Sequence, residues 1–297
     1  MEFVQLNNSE YGFAKGYKEN QTYRESFNKL TQTVFGFNLE GWYQDGYWAD
    51  YYIPYSLFLG DEVISNVSVN RLEFLIKGEK KVGLQVGTVM THEQHRNKGL
   101  NKYLLDLILN EWYDRVDFIY LFANDSVLDF YPKFDFVRME EFQFSKLVKS
   151  NSSQVPRKLN VEVEEDLAIL KRAINESIPI SQIAALNRLS PIMFYCLSFK
   201  RDHLYYLEEL NAVVIASFEE DVLFVDDLFT PSPLQLQSVI DQLASDSIRK
   251  VILGFTPLDE SGFDCRHLSG SDTLFVLKGQ ESFFQEKKWM FPILSHA

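Results

Sequence analysis

Residues 84–102 (LQVGTVMTHEQHRNKGLNK) run from an apolar, strand-like pattern through a polar turn into a helical one. A helix that starts directly after a strand presents several backbone N–H groups with no intrahelical acceptor. Its dipole adds positive potential at the same end, which suits a phosphate or pyrophosphate. Gly99 lets backbone approach such a ligand with no Cβ in the way. Arg96, Lys98 and Lys102 gather three cations at this turn, in a chain whose 29 basic and 42 acidic residues leave a formal net charge of −13. About 30 residues further on, the segment 121–136 (LFANDSVLDFYPKFDF) carries Tyr131. A phenol of ordinary pKa, about 10, keeps its proton at neutral pH and can act as a proton donor.

The run Arg96-Asn97-Lys98-Gly99-Leu100-Asn101 resembles the Q/R-x-x-G-x-G/A pyrophosphate arm of GNAT (Gcn5-related) N-acetyltransferases. The strand 86–91 and the helix after the turn resemble that family's fourth strand and third helix. Asn101 stands where the family has Gly or Ala, so its side chain must point away from the phosphate. A larger residue after Arg-x-x-Gly-Leu is similar to the branch of mycobacterial enhanced-intracellular-survival acetyltransferases. Residues 121–136 resemble the fifth strand, the fourth helix and the F-Y-x-K-x-G-F segment, with Asp135 in place of the glycine. The resemblance covers roughly residues 10–145.

What the resemblance implies is a GNAT-type acyltransferase that moves an acetyl group from acetyl-CoA to a primary amine. Arg96, Asn97, Lys98, Gly99, Leu100, Asn101 and Lys102 would form the pyrophosphate arm. The backbone of Val89, Met90 and Thr91 would take the acetyl carbonyl and pantetheine. Tyr131 would be the general acid; its other reading is a core tyrosine in an aromatic segment. Asn124 would contact pantetheine; its other reading, shared with Asp125 and Ser126, is a helix cap. No general base is singled out among His92, Glu93, Glu40, Asp45 and Asp50, and a water chain could serve. A protein lysine or N-terminus is the alternative acceptor, and a non-catalytic acetyl-CoA sensor the alternative function.

These residues need a frame. Apolar periodicity predicts a helix over 17–34 and another over 99–112, with everything before residue 17 read as helix or loop. Strands are predicted at 55–59, 63–69, 82–90, 118–122 and 136–144, with a short helix near 126–130. Between the first helix and the first hairpin lies Gly41 to Tyr55, dense in aromatics. Aromatic faces beside carboxylates suit an ammonium group, so Trp42, Tyr43, Asp45, Tyr47, Trp48 and Asp50 are candidates for holding a small cationic amine. The plainer reading of the same segment is core packing.

The polar stretch 148–156 (VKSNSSQVP) reads as a linker. Beyond it the order hairpin, strand, helix, strand recurs. The expected fold is therefore α/β (α+β), a mixed central sheet flanked by helices. It comprises two tandem GNAT-like domains: 1–150 with the acetyl-CoA site and 157–297 without it. At the second strand-to-helix junction, Asp226, Asp227 and two prolines replace the cations and the glycine, which predicts no pyrophosphate site there. The apolar end, 289–297, is expected to dock, bringing His296 or the terminal carboxylate toward the cleft.

Bulk properties exclude other classes. So acidic a chain is a poor general nucleic-acid binder. No run approaches a membrane span, no leader pattern opens the chain, and Cys196 and Cys265 cannot build a disulfide framework. These features point to the cytoplasm. His92 and His95 lack further ligands at metal spacing, so no metal is expected.

Overall fold

The computed structural model describes residues 1–149, 156–270, 272–285 and 288–296. Its first half contains strands β1 (Glu2–Leu6) and β2 (Ser9–Lys15), then helices α1 (Gln21–Phe35) and α2 (Glu40–Gln44). Strands β3 (Tyr52–Leu59), β4 (Glu62–Ile76) and β5 (Glu79–Thr91) follow, then α3 (Leu100–Trp112), β6 (Phe118–Ala123), β7 (Phe136–Arg138) and β8 (Phe142–Leu147). Next come β9 (Arg157–Lys158), α4 (Glu164–Glu176), β10 (Ile183–Ala185), α5 (Leu189–Leu197), β11 (Leu204–Leu207), β12 (Ala212–Glu219) and β13 (Val222–Phe229). Helix α6 (Leu236–Leu243), β14 (Lys250–Leu253), β15 (Asp264–His267) and β16 (Thr273–Leu277) complete the order.

The first sheet runs β1-β2-β3-β4-β5-β6-β16-β7, with β10 also on β4; the second runs β15-β8-β14-β13-β12-β11-β9. Each contains one parallel pair joined through a helix: β5 and β6 through α3, and β13 and β14 through α6. Beyond each pair the chain halves exchange strands. β16 lies against β6, while β8 lies against β14. Each exchanged strand covers an edge that would otherwise be open to stray pairing. Strand membership thus crosses position 150 in both directions. The expected linker falls mostly on 150–155, outside the described residues.

Two local expectations change. Residues 2–15 are not helix or loop but a hairpin, turning at Asn7 and Asn8, whose φ values are +50° and +62°. Two consecutive left-handed residues make the tight turn that matches strand twist, and asparagine tolerates that conformation. The single strand expected over 136–144 is two strands in different sheets, β7 and β8.

Strand alternation sends α1 and α3 to opposite faces of the first sheet. Phe58, Val63 and Met90 pack with Phe27 and Leu30 of α1, and Leu57, Ile64 and Val86 with Leu104 and Ile108 of α3. Helix α5 joins the α1 face through Ile192 and Met193.

Candidate active site

β5 and β6 pair only from Gly83–Phe118 to Val86–Leu121 and then part. Just past the last pair β5 bulges. Ser68 faces Gly87 and Asn66 faces Met90, so Thr88 and Val89 together oppose Val67. Thr88 sits at φ +47°. A buried polar chain braces it. Asn66 Nδ2 donates to the Thr88 carbonyl at 2.8 Å, Ser56 Oγ donates to Asn66 Oδ1 at 2.8 Å, and the Tyr52 hydroxyl lies 2.7 Å from Thr88 Oγ1. A bulge leaves strand backbone unpaired, here at the mouth of the opening between the two strands.

That opening is a cleft of about 910 Å³. Val89, Met90, Thr91, Arg96, Asn97, Gly99, Leu100, Asn101, Lys102, Asn124 and Tyr131 all line it; Lys98 does not. Gly99 is left-handed at φ +73°, and a Cβ there would meet only Asn7 Nδ2, at 3.9 Å. The glycine therefore serves backbone conformation and ligand approach, not packing. Asn7 also donates to the Lys98 carbonyl at 2.7 Å, tying the first hairpin to the turn. The Asn101 side chain turns back into the sheet, where Oδ1 accepts from Ser65 Oγ (2.5 Å) and Thr91 Oγ1 (2.9 Å). Its position keeps the helix start clear for an anion. Lys102 is shared with Asp106 at 2.7 Å, while Arg96 Nε donates to the Thr91 carbonyl at 3.3 Å.

Tyr131 comes from the 3₁₀ turn Tyr131–Phe134 and is 5% exposed. Burial pushes its hydroxyl up to about 12, so it stays protonated at any physiological pH. Asn124 caps the turn Asp125–Val127, Oδ1 accepting from Ser126 N–H at 3.1 Å, and still lies on the cleft wall.

The aromatic segment is elsewhere. None of Trp42, Tyr43, Asp45, Tyr47, Trp48 and Asp50 lines the cleft. Trp42 and Trp48 stack with centroids 5.8 Å apart inside the α1–α5 core, and their indole N–H groups donate to the Ser190 and Tyr52 carbonyls. Tyr47 is buried with them. Tyr43 donates to Glu19 beneath the Arg24 guanidinium, and Asp50 pairs with Lys18 at 2.6 Å. Asp45 is exposed at the end of α2. The packing reading of this segment accounts for its residues. Indoles with satisfied donors and buried faces have nothing left to offer a ligand. Of the base candidates, Glu40 is engaged by Arg24, Asn28 and Gln44, which hold its carboxyl low against the burial that would raise it.

On the α1–α5 face the cleft is walled instead by Val34, Phe35, Phe37, Phe194, Tyr195 and Phe199, and by His296. In the sequence, the aromatic run 194–199 carries only a helix signal; the cleft role comes from packing. The tail is docked. Phe291 N–H donates to Glu141 Oε1 at 2.9 Å, Met290 N–H to Thr256 Oγ1 at 2.9 Å, and Ile293 N–H to the Gly254 carbonyl at 2.8 Å. The His296 ring lies flat on Phe122, centroids 3.5 Å apart, and its carbonyl accepts from the Tyr195 hydroxyl at 2.6 Å. The terminal carboxylate, on residue 297, lies outside the described residues. The same tail closes the corresponding place in the second sheet. Ile293 Cγ2 would be 2.7 Å from a Cβ on Gly254, so the ends of β13 and β14 are filled by the chain itself. Asp226 and Asp227 there pair with Lys200 and Arg188.

Residues 18–139 match the family model described as the acetyltransferase (GNAT) domain. Among solved structures, a conserved protein of unknown function from Enterococcus faecalis is similar with TM-score 0.58 and 13% identity, over 93% of this chain and 75% of that one. Eis1 from Mycobacterium abscessus is similar with TM-score 0.56 and 14% identity, over 89% and 72%. A GCN5-related N-acetyltransferase from Anabaena variabilis gives 0.56 and 13%, over 89% and 72%. These likenesses concern the fold and extend over both halves of the chain. No curated protein matches. Among the described residues no group of three or more His, Cys, Asp or Glu could hold a metal, and no helix is long and apolar enough to cross a membrane.

Proposed function

On the match of residues 18–139 to the acetyltransferase (GNAT) domain model, we propose that the protein is a GNAT-type acetyltransferase that transfers an acetyl group from acetyl-CoA to the primary amine of a small molecule. One observation carries the reading. A single cleft gathers the left-handed Gly99 turn, the free helix start, the bulge at Thr88–Val89 and the Tyr131 hydroxyl. The helix start and Arg96 offer donors and positive charge to a pyrophosphate. Unpaired backbone at the bulge can donate to an acetyl oxygen as charge develops there. Acetyl-CoA supplies the activated acyl group. Tyr131, with its proton held by burial, donates to the sulfur that leaves.

In this reading residues 1–150 carry the acetyl-CoA site and 157–297 are a second GNAT-like half without one, whose cleft the tail fills. Two free cysteines and the acidic surface fit a cytoplasmic protein. Calorimetry with acetyl-CoA should find one molecule per chain, and thiol release should appear with an amine acceptor. Tyr131→Phe should lower turnover about 10²–10⁴-fold with acetyl-CoA affinity unchanged, since the lost proton is needed only in the transition state. Equal turnover in this variant makes Tyr131 structural. Binding without turnover on any amine favours the sensor.

A further inference from the structure

The cleft passes through the first sheet. Tyr131 and the start of α3 lie on one face, within the core cluster of Leu57 and Leu121. Gln85, Tyr120 and Phe122 belong to the other face, since Asn70, Gln85 and Tyr120 are direct cross-strand neighbours and side chains alternate along a strand. On that second face His296 covers Phe122.

His296 Nε2 is buried and has no hydrogen-bond partner among the described residues, yet the residue lines the cleft. An unpaired buried imidazole nitrogen is costly, and its presence calls for a partner that arrives from outside. Burial pulls the imidazole down to about 3, so it is neutral, and with the proton on Nδ1 its Nε2 is free to accept. The same cleft carries an aromatic wall. Phe37, Phe194 and Phe199 have ring centroids 5.6–5.8 Å from one another, and Phe199 is 55% exposed. Among the described residues lining the cleft, Asp272 is the one carboxylate. A polyamine would need several such charges. An apolar or aromatic body needs the wall that is there.

We propose that the acceptor enters on the α5 face as a primary amine borne by an apolar, aromatic body lying against Phe37, Phe194 and Phe199, and that the His296 imidazole accepts a hydrogen bond from its amine. His296 is then a recognition residue for the acceptor, supplied by the tail. The inference rests on the acetyltransferase reading above.

The test uses the full chain, saturating acetyl-CoA and thiol release with phenethylamine against 1,4-diaminobutane. The aryl amine should be turned over with at least about 10-fold higher kcat/KM. His296→Phe, which can keep the stack on Phe122, should raise the KM for phenethylamine about 10-fold at unchanged acetyl-CoA affinity, the size of one good hydrogen bond. His296→Gln, which still offers an acceptor, should recover most of it. Phe199→Ala, at an exposed position, should raise the KM for the aryl amine only. Preference for the diamine, faster turnover on a lysine peptide than on either amine, or an unmoved KM in both His296→Phe and Phe199→Ala overturns the inference while the acetyltransferase reading stands. A chain that binds no acetyl-CoA overturns both.

Discussion

Glu141 offers a stability experiment whose size follows from its surroundings. It sits between β7 and β8, where the chain leaves the first sheet for the second, and is 6% exposed. Burial raises its carboxyl from an ordinary 4.5 to about 7, with the hydrogen bond from Phe291 N–H opposing only in part. A carboxyl whose folded value lies above its unfolded one stabilises the fold most fully below the unfolded value. That contribution is lost as the pH rises through the folded value. Over this interval the loss is about 3 kcal/mol, at about 1.36 kcal/mol per pH unit. Glu141→Gln keeps an oxygen for Phe291 and removes the ionisation. Urea unfolding of both proteins at pH 5, 6, 7, 8 and 9 should give the variant a relative gain that grows through pH 7 and levels at ~2–3 kcal/mol. Parallel stability curves, or a variant weaker at pH 9, would show that the buried carboxyl does not titrate as its burial requires. Because Phe291 belongs to the segment that carries His296, the ratio of acceptor KM in the wild type to that in Glu141→Gln should rise over the same pH range, the amine's own titration being common to both.

Two further outcomes separate the arm from the aromatic core. Gly99→Val adds about 1–2 kcal/mol of left-handed strain and sets a branched side chain beside the pyrophosphate path; acetyl-CoA affinity should fall at least ~10-fold by calorimetry. Unchanged affinity in a folded variant removes the arm assignment. Trp42→Ala should cost about 3–5 kcal/mol in chemical unfolding, since it empties the stack on Trp48 and leaves the Ser190 carbonyl without its donor. Its effect on the KM for the amine should be small in the folded fraction. A normal midpoint with a raised KM would return the indole to the acceptor site.

The strand-to-helix turn before α3 is legible in the sequence because its signals are local. Arg96, Lys98 and Gly99 stand within four residues, and a strand running into a helix presents free N–H groups whatever the rest of the chain does. The same holds for the position of Tyr131, which opens a four-residue 3₁₀ turn just before β7, and for the parallel β5–α3–β6 and β13–α6–β14 units, each set by its own periodicity. The Asn7–Asn8 turn is equally local, but Glu-Phe-Val-Gln-Leu before it lacks clean alternation, since Phe3 stands exposed beside Val4, and the strand is fixed by its pairing with β2.

What the sequence by itself determined, then, is each element whose cause lies within a dozen residues: amphipathic helices, hairpin turns, the left-handed glycine before α3 and the cation cluster around it. Only the tertiary structure decided which face of the cleft receives which wall. The pattern of residues 136–144 contains nothing to say that β8 leaves for the second sheet, or that β16 returns to the first, because the energy of an exchanged strand lies in the edge it covers and not in its own residues. Trp42 and Trp48 have the composition of a ligand cage and of a core alike; burial against α5 chose the core. The apolar tail signals that it docks and carries His296 with it, but not where: His296 meets Phe122 only because Phe291 and Ile293 are anchored by Glu141 and Gly254, partners more than 30 residues away. Long-range pairing of this kind is set by complementary surfaces that exist only once both sheets have formed.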